Sequence, residues 1–81
     1  MAEVANIVQV RRPFIVERRR IAGLTQEALA AALGVQRSTV ARWETGATEP
    51  MLWVRPRLAV TLGLTLEELH AMLEKPRIGV S

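Results

Sequence analysis

Arg37, Ser38, Ala41 and Arg42 fall at spacings that a helix of 3.6 residues per turn gathers into one strip. The strip carries two guanidiniums, a hydroxyl and a methyl group, with nothing anionic at its centre. Each group suits the edge of a nucleic-acid base. Arginine offers two parallel donors to guanine, serine bonds to several bases, and an alanine methyl packs against the methyl of thymine. At 100° per residue the opposite side of the same helix holds Val35, Thr39, Val40 and Trp43, which must face the protein. Trp43 is therefore expected in the core, not as a stacking platform. The competing reading of the strip is an ordinary solvated helix face, and Ser38 in the first turn could equally serve to cap its own helix.

Such a strip needs a scaffold, and the residues from Gln26 to Trp43, QEALAAALGVQRSTVARW, describe one. A small residue at Ala30 lets a second helix cross close behind. Gly34 supplies a positive φ at a turn, and Leu29, Leu33, Val35, Val40 and Trp43 form an apolar seam. Thr25 precedes the first of the two helices as its N-cap, with Glu27 in the first turn, where a negative charge meets the helix dipole. This helix is expected over Gln26 to Leu33, and the next from about Gln36 to Thr45, stopped by Gly46. The linkage between them is so short that the two must meet at a tight corner.

The flanking elements follow from the same signals. Pro13 suits a helix first turn, and the stretch to about Ala22 closes at Gly23. Met51 to Leu62 reads as a fourth helix with an irregular start, because Pro56 has no amide hydrogen to donate, so its regular part is expected from Arg55 or Pro56. Thr65 with Glu68 three residues on makes a capping box for a fifth helix reaching about Leu73. The expected architecture is all-α, one domain over residues 13–74, between an N-terminal arm (1–12) and a C-terminal tail (75–81). Val4, Ile7, Val8 and Val10 leave the arm readable as a loose segment or a short strand.

The strings GLTQEALAAALGV, STVARWETG and LGLTLEEL together resemble the phage-repressor-like helix-turn-helix family, often called the XRE family, over about Phe14 to Leu73. The resemblance implies a compact five-helix, lambda-repressor-like domain that binds a short, roughly palindromic duplex operator as a homodimer, its third helix in the major groove. By the same matching, Gln36, Arg37, Ser38 and Arg42 fall at base-contacting positions, and Gln26 at that of a phosphate-contacting glutamine beginning the second helix. Thr39, Thr45, Arg55 and Arg57 are the further expected backbone contacts. Arg19 and Glu44 resemble an internal ion pair joining the first helix to the end of the third. The loop after Gly46 departs from the most basic members of the family, offering Ala47, Thr48 and Glu49 where they carry lysines. Arg55 or Arg57 in WVRPRL would compensate.

Composition narrows the alternatives. Eighty-one residues hold one modest core. Zero cysteines and a single histidine, His70, leave no familiar zinc site, so no metal or other cofactor is expected. No nucleophile–base pair, phosphate-cradling glycine loop or carboxylate dyad stands at a meaningful spacing, which argues against an enzyme. The start of the chain has no signal-peptide pattern and no apolar run approaches about 18 residues, so a cytoplasmic protein with no membrane partner is expected. The net charge is +3, and ten of the eleven basic residues are arginine, the side chain suited to phosphate and guanine. The rival reading keeps the fold but not the ligand: a protein-interaction or antitoxin module with little DNA binding of its own, or one that serves a further domain.

Overall fold

The computed structural model describes residues 13–74, all-α among those residues. Five α-helices run α1 (Pro13–Ile21), α2 (Gln26–Leu33), α3 (Arg37–Thr45), α4 (Arg55–Thr61) and α5 (Leu66–Leu73), with one 3₁₀ turn, Leu52–Val54, before α4. The arm and the tail lie outside the described residues, as do the apolar residues Val4 to Val10.

Local signals account for the helix ends. Thr25 is extended at φ −80° and ψ 170°, and its side chain accepts the amide hydrogen of Ala28. At α5, Thr65 accepts from the amide of Glu68 while the Glu68 side chain accepts from the backbone of Thr65, so both halves of the capping box form. Gly34 ends α2 at φ 75°, its backbone N–H reaching Ala30 and Ala31 carbonyls. A Cβ at Gly34 would meet nothing within 4 Å, so glycine is needed there for its backbone angle and not for space. The irregular start expected for the fourth helix is the 3₁₀ turn, after which the α-helical ladder begins at Arg55 with proline in its first turn. Helix α3 begins at Arg37, one residue later than expected, because Gln36 is still extended and acts as the N-cap.

Helix α2 packs most extensively on α3, α1 rests on α3, and α4 is held between α2 and α5. The core is continuous through these contacts: Ile15, Leu29, Leu33, Val40, Trp43, Val54, Leu58, Leu62 and Leu69 are all buried. Trp43 is the largest fully buried side chain. Its indole N–H has no acceptor among the described residues, a desolvation cost set against the apolar surface that the ring removes from water. Arg18 ties α1 to the end of α4, its Nε donating to the Leu62 carbonyl at 3.1 Å and its Nη2 to the Gly63 carbonyl at 3.0 Å. Carbonyls at a helix C-terminus lack intrahelical donors, so the cation both completes and electrostatically complements that end. Among the described residues no helix is long and apolar enough to cross a membrane.

Candidate nucleic-acid interface

The corner between α2 and α3 turns on three residues, Gly34 to Gln36, with Val35 half-buried in the seam. Once Val40 and Trp43 are driven inward, helical periodicity leaves Gln36, Arg37, Ser38 and Arg42 exposed, with Ala41 and Thr39 half-buried at the strip's edges. No described residue accepts a bond from the Arg42 guanidinium. Thr45 is exposed at the end of α3, its hydroxyl donating to the Arg42 carbonyl at 3.2 Å.

The two arginines at the start of α4 part company. Arg55 donates from Nε to the carbonyl of buried Pro50 at 2.9 Å, and its Nη2 stands 3.7 Å from Glu49. Those donors are spent on holding the loop after Gly46 against α4. Arg57 is exposed, and its backbone carbonyl takes the Thr61 hydroxyl at 2.7 Å. Only Arg57 of the pair has a guanidinium with no acceptor among the described residues.

Arg19 and Glu44 come together. Arg19 Nε donates to Glu44 Oε2 at 2.8 Å, Nη2 to Oε1 at 3.5 Å and Nη1 to the Leu24 carbonyl at 3.0 Å. Their side chains are only 11% and 8% exposed, so the attraction is weakly screened by solvent, while losing either partner would strand a buried charge. Gln26 extends the chain of bonds. Its Nε2 donates to Glu44 Oε1 at 2.7 Å, and its Oε1 accepts from Arg37 Nη1 at 3.2 Å. A continuous path thus runs from α1, through the end of α3 and the start of α2, to the first helical residue of the exposed strip. Sequence reasoning places Gln26 and Arg37 at a ligand surface but does not join them to each other or to Glu44. Periodicity locates a side chain on a face without saying which neighbour its polar end meets.

Beside this path lies a shallow open depression lined by Arg20, Thr25, Gln26 and Arg37 among others. The first amides of α2 have no intrahelical acceptor, and Thr25 satisfies only that of Ala28. The depression therefore sets backbone donors, the positive end of a helix dipole and the guanidiniums of Arg20 and Arg37 beside one carboxylate, Glu27. Sequence reasoning does not single out Arg20. Its place in the run Arg18 to Arg20 is visible, but only helix register assigns Arg18 to α4, Arg19 to Glu44 and Arg20 to this rim.

Two similarities to other proteins bear on this geometry. Residues 14–72 match the family model described as a helix-turn-helix domain. The chain is also similar, at 44% identity over 52 residues, to a protein of Methanothermobacter thermautotrophicus named as an uncharacterized HTH-type transcriptional regulator, covering 64% of this chain and 75% of that one. No solved structure matches it. With the family model spanning every helix from Phe14 to Met72, around a glycine-hinged corner and an exposed third helix, the chain belongs to the helix-turn-helix domain family.

Proposed function

We propose that this protein is a transcriptional regulator that binds double-stranded DNA and represses by occupying an operator, with α3 in the major groove. Gln36, Arg37, Ser38 and Arg42 meet base edges in this reading, and the arginines select guanines. Gln26, Thr39, Thr45 and Arg57 approach the sugar–phosphate backbone together with the first amides of α2, which positions the domain without reading sequence. Arg55 contributes by fixing the loop and presenting whichever of its donors the loop does not use. A homodimer on a palindromic site places two such helices one turn of DNA apart, about 34–36 Å.

The observation that carries the reading is the division of α3: its apolar side is buried to completion at Val40 and Trp43, while Arg37 and Arg42 stand exposed on the other. The name of the Methanothermobacter thermautotrophicus relative supports the regulatory part of this reading. Selection of bound duplexes from a random pool tests it, because an enriched palindrome would report sequence preference and half-site spacing at once. Titration with salt separates it from the protein-interaction reading. Operator binding should weaken steeply as salt rises, with a log–log slope set by the number of phosphates neutralised. Little affinity for any duplex at moderate salt would leave the fold with a protein partner as its ligand.

A further inference from the structure

We infer that Glu44 is a positioning residue for sequence recognition: it sets the polarity of the Gln26 side-chain amide, and through that amide the pose of the Arg37 guanidinium. The inference rests on the reading of Arg37 as a base contact.

A carboxylate paired to Arg19 has only acceptors to offer, so the Gln26 atom 2.7 Å from Glu44 Oε1 must be the amide nitrogen. The amide oxygen is then turned outward, where it accepts from Arg37 Nη1 at 3.2 Å. Flipping the amide would set oxygen against oxygen at Glu44 and donor against donor at Arg37, losing both bonds. Glu44 itself cannot turn away, since Arg19 holds it from α1 while Arg19 is pinned by the Leu24 carbonyl. Arg37 is exposed, and an exposed arginine ordinarily samples many rotamers. The bond to Gln26 restricts it while using one of its five donor hydrogens, so a two-donor edge stays available for guanine.

The isosteric change Glu44→Gln distinguishes polarity from mere bulk. The new amide would keep its oxygen toward Arg19 and turn its nitrogen toward Gln26, which must then offer its oxygen inward and its nitrogen to Arg37. Combining E44Q with Q26E should restore an acceptor facing Arg37, since a carboxylate at position 26 accepts on both sides.

The test is binding of the selected operator and of single-base variants by the full chain. E44Q should lose discrimination at the base read by Arg37 by about 3- to 10-fold, the worth of one net hydrogen bond, with discrimination elsewhere unchanged. Q26A, which leaves the Arg19–Glu44 pair whole, should lose the same preference even if E44Q does not fold. The E44Q/Q26E exchange should recover the preference while binding all duplexes more weakly, because a carboxylate at position 26 adds a negative charge near phosphate.

If R37A removes the preference but folded E44Q keeps it, Glu44 acts on stability alone and the proposal is overturned, whatever Q26A does. It is overturned equally if E44Q loses the preference and the exchange does not recover it. If R37A itself leaves base preference intact, the base-contact reading of Arg37 is what has failed, and the positioning role falls with it.

Discussion

Helices α2 and α5 start from almost the same letters. Gly23-Leu24-Thr25 leads into Gln26 and Glu27, and Gly63-Leu64-Thr65 leads into Leu66 and Glu67. Both glycines take positive φ, both leucines are half-buried against the core, and both threonines are extended caps bonded to the amide three residues on. Locally the two starts are copies. At α5, however, the third helical residue is Glu68, which closes the capping box and adds a second carboxylate beside Glu67. At α2 that residue is Ala28, and the neighbourhood is made by Arg20 from α1 and Arg37 from α3. Each helix dipole thus meets an acid of its own first turn, Glu27 at α2 and Glu67 at α5, but α5 adds Glu68 while α2 is rimmed by the guanidiniums of Arg20 and Arg37. A helix N-terminus is not by itself a ligand site. Tertiary packing decides what stands beside it, and of these two only α2 has the corner that brings α3 alongside.

The sharpest test of that difference removes the support behind each start. Glu44→Ala should destabilise the fold by about 3 to 5 kcal/mol in urea unfolding, because it strands buried Arg19. Glu68→Ala, at an exposed cap, should cost about 1 kcal/mol. Equal losses would mean that the α2 side has no special burden. Next in size, Arg37→Ala and Arg42→Ala should each weaken the selected operator by about 1 to 3 kcal/mol and relax one base position, measured by titration against single-base variants. Uniform weakening on every duplex would make that arginine a phosphate contact. Thr25→Ala and Thr65→Ala should each lose about 1 kcal/mol of stability, yet only Thr25→Ala should also weaken DNA binding. The smallest change copies one helix onto the other. Ala28→Glu would complete a capping box at α2, raising stability by a few tenths of a kcal/mol to about 1 kcal/mol while lowering operator affinity, since the new carboxylate would stand where a phosphate is expected. Unchanged affinity would remove phosphate from the α2 start.

Much of this molecule is legible one segment at a time. Thr25 and Thr65 as caps, the glycine after each of the first four helices, the delayed start of α4 at Arg55 and the burial of Val40 and Trp43 all follow from propensities and periods acting over a few residues. The exposure of Gln36, Arg37, Ser38 and Arg42 follows as the complement of that burial. The arginines are where local reading ends. Arg18, Arg19 and Arg20 are consecutive and chemically identical, yet one clamps the end of α4, one is buried against Glu44 and one faces the depression at α2. Arg55 and Arg57, two residues apart, divide in the same way between the loop and solvent.

Five helices, their ends, and the side of the third left free of the core are dictated locally, because side-chain period and capping act within a turn or two of the backbone. Which guanidiniums are spent internally, and which way the Gln26 amide points, is settled by long-range packing. Those choices depend on partners 44 residues away for Arg18, 25 for Arg19 and 18 for Gln26, and a hydrogen bond forms only where packing has already brought donor and acceptor within about 3 Å.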